Sequence, residues 1–275
     1  MSLVHQNANA NGNIFEIKTV QSGAFRTLIE ALKEILTEAN IEVDPQGIKI
    51  MAVDETHTVL VYMRLHSDKF ETFYCPAKHV LGVNMIYFFK LIKTMGNNDS
   101  LTLYLPANNP NKLGIRMDNA EKSTVTNYFL KLFDTDVEDI QIPSLNFTSI
   151  IHMPSVDLQK ICRDMNALGE KLDVEITSSA TDLIFKCIGD FAEQETIISE
   201  NTMNSNMKVH KSSENAVEIV QGIFQLKHLV LFTKCTSLCP SIEIYLKNDY
   251  PLILRYIVAN LGEIKLVLAP MKNKQ

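Results

Sequence analysis

The strongest constraint on this 275-residue chain is that it repeats itself. Ser22 to Glu38 and Ser155 to Leu168 both open on a serine suited to capping a helix, and both carry an apolar stripe. Phe25, Leu28 and Leu32 in the first stretch correspond to Leu158, Ile161 and Met165 in the second, at one constant offset. Further along, Lys93 followed by S-L-T-L-Y-L (Ser100 to Leu105) returns as Lys234 followed by S-I-E-I-Y-L (Ser241 to Leu246). Between the copies, Phe133 to Pro143 holds four carboxylates, shows neither helical nor strand periodicity and ends in proline, so it reads as an extended, solvated connector. The chain reads as one domain used twice.

Its length suits two domains, each large enough for its own core. Apolar residues at 46% and charged residues at 21% describe a globular protein. No apolar run reaches the length of a membrane span, and the N-terminus lacks the basic-then-apolar order of a secretion signal, so an intracellular protein is expected. Five cysteines without a C-x-x-C pair fit free thiols in a reducing compartment. The expected layout is a disordered tail over 1–13, a first domain over 14–132, the connector over 133–143, a second domain over 144–271 and a short tail over 272–275.

The net charge of −6 argues at face value against a nucleic-acid partner, but its distribution does not. Periodicity predicts four helices, over 22–38, 85–95, 155–168 and 226–236. Together they hold eight Lys/Arg and five Asp/Glu, so positive charge gathers on the helices and negative charge elsewhere. Each helix offers two cations on a face away from its core: Arg26 and Lys33, Lys90 and Lys93, Lys160 and Arg163, Lys227 and Lys234. Such a surface meets phosphates with point charges and offers no aromatic or amide groups for reading bases, which predicts non-specific binding of duplex DNA.

Between the helices, β-rich runs predict strands, including Ile48 to Val53 after the turn signal Asp44-Pro45-Gln46-Gly47, and others at Ser100 to Leu105, Thr124 to Leu132, Glu195 to Ser199 and Leu252 to Val258. The polar stretch Glu200 to Asn215 reads as an exposed, mobile loop.

Several segments taken in order resemble one family. They are L-I-E-A-L-K-E-I-L (Leu28 to Leu36), the D-x-x-H of Asp54 to His57, L-G-V-N-M (Leu81 to Met85), K-L-F-D-T-D-V-E (Lys131 to Glu138), M-P-S-x-x-L-x-K-I-C-R-D (Met153 to Asp164), L-F-T-K (Leu231 to Lys234) and Y-P-L with L-A-P (Tyr250 to Leu252, Leu268 to Pro270). Their order and spacing resemble the eukaryotic-type sliding clamp, proliferating cell nuclear antigen, from Ile14 to Met271.

The resemblance implies an α+β DNA clamp fold. Two similar domains each pack two helices on antiparallel sheets, strands form the outer surface, and helices line the inner one. It implies a homotrimeric ring, closed head to tail, that encircles double-stranded DNA as a polymerase processivity factor and tethers replication and repair proteins. The eight cations named above fall on the family's lining positions. The implied subunit interface involves Tyr128, Lys131, Thr196 and Ile198. DNA polymerase, clamp loader, flap endonuclease and ligase would insert short peptide motifs into a pocket formed by Val53, His57, Leu60, Ile140, Ile142, Pro251, Ala269 and Pro270. The site of action would be the nucleus, or a cytoplasmic replication site if the source is viral. No membrane partner, cofactor or metal is expected.

This chain departs from the family at Val53, where methionine is typical, at Val267, where tyrosine is usual, and at Ser178 to Thr181, where the family carries a modifiable lysine. These departures suggest a divergent viral or protist member. Rival readings are a subunit of a checkpoint-type hetero-trimeric clamp, a monomeric or dimeric processivity factor, and an enzyme using Asp134, Asp136, Glu138 and Asp139 on a divalent cation. The enzyme reading lacks a nearby base, a P-loop or a nucleophile arrangement, so no catalytic function is expected.

Overall fold

The computed structural model describes residues 9, 11–54, 56–134, 146–200, 206–211 and 219–271. The first half runs β1 (Asn13–Thr19), α1 (Ser22–Ile35), β2 (Glu38–Asp44), β3 (Gly47–Val53), β4 (Val59–His66), β5 (Thr72–Tyr74), β6 (His79–Asn84), α2 (Met85–Ile92), β7 (Ser100–Pro106), β8 (Lys112–Asn119) and β9 (Thr124–Lys131). The second runs β10 (Ser149–Pro154), α3 (Ser155–Asn166), β11 (Asp173–Ser178), β12 (Asp182–Ile188), β13 (Glu193–Ser199), β14 (Lys208–Lys211), β15 (Val220–Gln225), α4 (Leu226–Phe232), β16 (Ser241–Leu246), β17 (Leu252–Val258) and β18 (Gly262–Leu268).

The chain divides into two compact units: Met1–Ala52 with Tyr62–Ile140 and Val258–Ile264, and Val53–Val61 with Gln141–Ile257 and Lys265–Gln275. The first holds mainly the strand orders β4-β3-β2-β6 and β5-β1-β7-β8-β9 and the second mainly β13-β12-β11-β15 and β14-β10-β16-β17-β18, with the Val59–Val61 end of β4 assigned to the second and the Gly262–Ile264 end of β18 to the first. The two sets match place for place, which is the duplication read from the sequence, now expressed as topology.

The two opening serines also match, although not as caps. Neither accepts a capping hydrogen bond. Both are buried, and both donate their hydroxyl to the chain just beyond the second helix of their unit: Ser22 to Gly96 O (3.0 Å) and Ser155 to Cys239 O (2.6 Å). Each serine therefore ties one helix start to its partner's exit. Below these ties the apolar stripes close, with Phe25 edge-on to Phe88 at 6.2 Å in the first unit and Leu158, Cys162, Leu229 and Phe232 fully buried in the second. Burying a side chain of this size contributes about 1.5–3 kcal/mol.

Each helix ends sooner than its periodicity predicts. Leu36 already turns to extended backbone ahead of β2, and α4 gives way to a 3-10 helix over Thr233–Leu238. Four strands lie where none was expected: β1, β6, β14 and β15. β6 and β15 each contain a glycine and run directly into the second helix of their unit, so neither shows the flanking turn that marks a strand. β14 lies within the expected loop and pairs with β10, for example Val209 with Ile151. In the expected N-terminal tail, the side chains of Asn9, Asn11 and Asn13 all donate to the Glu16 carboxylate.

The cysteines are free thiols, as expected. Burial pushes Cys75 up to about 11 and Cys162 and Cys235 up to about 12, so these three act as protonated packing groups.

The Asp44 to Gly47 turn joins β2 and β3 as the sequence indicates. Asp44 Oδ1 accepts from the N–H groups of Gln46 (2.7 Å) and Gly47 (3.0 Å), and its carboxylate also holds Arg64. Gly47 has φ +144°, and a Cβ there would stand 1.9 Å from Leu65 O. Gly47→Ala is therefore expected to destabilise the fold by about 1–3 kcal/mol or more, read as a lowered midpoint in urea unfolding. An unchanged midpoint would show that the turn relaxes around the methyl group.

Candidate nucleic-acid and peptide sites

The helices position the eight predicted cations, but not equally. In the first unit, Arg26 donates to Met95 O and to Asn97 Oδ1 (3.0 Å), which turns its guanidinium back onto the chain after α2. The Lys33 side chain is only 20% exposed; it pairs with Glu34, and its Nζ lies 4.9 Å from the centre of the Phe89 ring. Lys90 and Lys93 are exposed, one turn apart at the end of α2, which carries no acid. The reading that each helix offers two cations on a face away from its core does not hold for α1. α1 bears its cations near the seam with α2, where carbonyls, a carboxylate and a ring take them up.

In the second unit, the exposed Lys160 and Arg163 stand opposite the buried Leu158, Ile161, Cys162 and Met165 of α3. Arg163 also lies 3.6 Å from Asp164. Lys227 is exposed on α4. Lys234 is exposed too, but it sits on the 3-10 helix rather than on a continuing α-helix. Thr233 Oγ1 donates back to Val230 O (2.7 Å) at this junction, a local bond that competes with helix continuation.

The expectation that these faces lack aromatic groups is also corrected. Tyr87 on α2 is 56% exposed, and Lys90 Nζ lies 5.3 Å from its ring centre. The sequence does show this ring, one turn before Lys90, but the helical pattern alone does not say which side of α2 the core takes.

The predicted pocket residues Val53, His57, Leu60, Pro251, Ala269 and Pro270 all fall in the second unit. Asp54 N–H donates to Val59 O (2.9 Å), which closes a tight loop and sets Val53 and Leu60 just outside it. His57 stands exposed at the tip with φ 54°, and Ala269 N–H donates to Thr58 O (3.0 Å). Met271 N–H bonds Ile223 O (2.8 Å), so Pro270 is pinned between two strands. Val53, Leu60, Pro251, Ala269 and Pro270 are half-buried, a partly accessible apolar set. Ile140 and Ile142 lie outside the described residues. So do Asp136, Glu138 and Asp139, while Asp134 is exposed. Beside Pro270 opens a groove of about 820 Å³ whose walls include Ile219, Gly222, Ile223, Tyr250 and Met271. Sequence reasoning names only Pro270 among these, because Ile219 to Ile223 reaches the groove through an unanticipated strand.

The predicted interface residues lie on edge strands. β9 ends one sheet run of the first unit, and β13 ends one of the second. Tyr128 pairs with Ile115, Lys131 with Lys112, Thr196 with Phe185 and Ile198 with Leu183, and among the described residues no strand pairs with the other side of either. The large apolar groups most exposed there are their neighbours Val125, Phe129 and Ile197, which the sequence reading omits.

Two family descriptions match this chain end to end: proliferating cell nuclear antigen, N-terminal domain, over residues 14–140, and proliferating cell nuclear antigen, C-terminal domain, over 141–271. The chain belongs to the proliferating cell nuclear antigen family. A probable DNA polymerase sliding clamp from Paramecium bursaria Chlorella virus 1 is 34% identical over 263 residues, covering 94% of this chain and 97% of that one. The crystal structure of the proliferating cellular nuclear antigen from Entamoeba histolytica superposes with a TM-score of 0.85 at 23% identity, covering 94% of this chain and all of that one; it attests the fold. The α+β clamp fold expected from the sequence is thus the observed one, and the chain is a sliding clamp, a processivity factor in DNA replication.

The loop carrying His57 hangs on one carboxylate. Burial would raise Asp54, but hydrogen bonds from the Thr56 hydroxyl and from the N–H groups of Val59, Thr58 and Thr56 outweigh it and hold the group below the ordinary value of 3.8. With the folded-state value lowered, this stabilisation is present above pH 3.8 and is lost as pH falls through the lowered value. Asp54→Ala is expected to cost about 1–3 kcal/mol at neutral pH, with the gap to the native chain narrowing in acid. Urea unfolding at several pH values measures both; a gap that stays constant would remove the carboxylate as its source.

Proposed function

We propose that this sliding clamp works as a homotrimer closed head to tail around duplex DNA, with β9 of one copy pairing with β13 of the next. The observation that carries this reading is a pair of open sheet edges, one in each unit. Among the described residues β9 pairs only with β8 and β13 only with β12. Both edges expose apolar groups, Val125 and Phe129 on β9 and Ile197 on β13, so pairing between copies would satisfy two open ladders and cover that surface at once. A heterologous contact of this kind yields a closed ring when its rotation closes. Tyr128, Lys131, Thr196 and Ile198 would lie at that junction, with Val125, Phe129 and Ile197 burying against the neighbour.

Duplex DNA would be held through the basic helix faces. Lys90, Lys93, Lys160, Arg163, Lys227 and Lys234 are exposed and would supply most of the contact, while Arg26 and Lys33 contribute at lower accessibility. Point charges that select no register suit a ring that slides, because retention is topological and affinity can be low. Short peptide motifs of the polymerase, clamp loader, flap endonuclease and ligase would seat their apolar anchors on Val53, Leu60, Pro251, Ala269 and Pro270, beside His57. The role is that of a scaffold without catalysis, at a nuclear or viral replication site. Among the described residues no helix is long and apolar enough to cross a membrane.

Light scattering across a dilution series is expected to give three times the 31.1 kDa chain mass. A mass of one chain at every concentration would sink the homotrimer and favour a hetero-trimeric or monomeric processivity factor. Replacing Lys90, Lys93, Lys160 and Arg163 together by alanine is expected to leave the mass unchanged yet cut clamp-stimulated DNA synthesis severalfold. Undiminished synthesis would take DNA contact away from these residues.

A further inference from the structure

The outward side of α2 carries more than phosphate contacts require. Ile86, Tyr87, Lys90 and Lys93 share the face turned from the buried Met85, Phe88 and Ile92. Tyr87 is 56% and Ile86 38% exposed, an apolar surface set among lysines with no acid on the helix. An ammonium group reaches a phosphate unaided, so phosphate contact alone does not call for the ring. The backbone that carries the ring is fixed at the helix start, because Tyr87 N–H donates to the Asn84 side chain (3.0 Å) that caps α2. Lys90 Nζ stands 5.3 Å from the ring centre, close enough for a cation–π contact. On α3 the exposed residues are Val156, Asp157, Gln159, Lys160, Arg163 and Asn166, and on α4 Lys227, none of them a ring, so the feature belongs to the first unit.

An exposed aromatic ring with one lysine at its face and a second one turn further along the same side of the helix fits one nucleic-acid chemistry in particular. In a duplex each base has both faces covered by its neighbours. An unpaired base has a free π-face, and its flanking phosphates complement the ammonium groups; stacking of this kind tolerates any sequence.

We propose that Tyr87, with Lys90 and Lys93, is a stacking site for an unpaired base of single-stranded DNA. The ring takes the base and the lysines take the adjoining phosphates. The clamp thereby gains a contact with the single-stranded side of a primer–template end that duplex DNA does not satisfy. This rests on the reading that the basic helix faces meet DNA.

Fluorescence anisotropy with the full chain, a labelled oligo-dT strand and a labelled blunt duplex of equal length, at low salt, tests it. Tyr87→Ala is expected to weaken oligo-dT binding about fivefold or more while changing duplex affinity far less. Tyr87→Phe, which keeps the ring, is expected to retain oligo-dT binding. Unchanged oligo-dT affinity in Tyr87→Ala overturns the proposal. So does an equal loss on both DNAs, or a Tyr87→Phe variant as weak as alanine. Should Tyr87→Ala lose its circular-dichroism spectrum, Tyr87→Gln takes its place under the same criteria. The Lys90→Ala/Lys93→Ala double variant separates the two readings. A loss on both DNAs supports the basic face, whereas unchanged affinity on both overturns that face and the part given to the lysines, even where the Tyr87 result stands.

Discussion

Everything else in this molecule depends on how two helices are seated in each unit. The apolar stripe of α1 meets that of α2 through Phe25 and Phe88, and α3 meets α4 through Leu158, Cys162, Leu229 and Phe232, all at or near zero exposure. A helix buried along one stripe has its rotation fixed, so every other position is assigned to seam or solvent without further choice. The buried serines Ser22 and Ser155 lock that rotation at the helix start. The cations that remain available, those of α2, α3, α4 and the 3-10 turn, are available because the stripe lies opposite them. Arg26 and Lys33 fall near the seam, where Met95 O, Asn97, Glu34 and Phe89 engage them.

Duplication does the second piece of work. The two units build the same strand orders, and among the described residues each has a strand at a sheet edge, β9 in the first and β13 in the second. An unpaired edge with exposed apolar groups is a hazard for a lone chain and an instruction for a symmetric assembly.

Much of this was legible in the residues. The repeated stripes and the S-L-T-L-Y-L/S-I-E-I-Y-L echo named the duplication, and Asp44 to Gly47 named its hairpin, because these signals are local. What escaped was non-local or masked by its context. β6 and β15 were hidden by a glycine and by their unbroken passage into a helix, β14 by its polar setting, and the groove residues Ile219 and Ile223 by their dependence on β15. The serines were legible as helix-start residues, but their actual partners lie far along the chain.

The sequence by itself determined the two-fold plan, the family, the helix positions and which residue types could meet phosphate, since periodicity, turn chemistry and charge are properties of short stretches. Only the tertiary structure decided which of the cations stay free, that Tyr87 faces solvent beside Lys90, and which strands remain edges. Each of those outcomes depends on what packs against a residue from elsewhere in the chain, and the neighbours of a side chain are not written next to it.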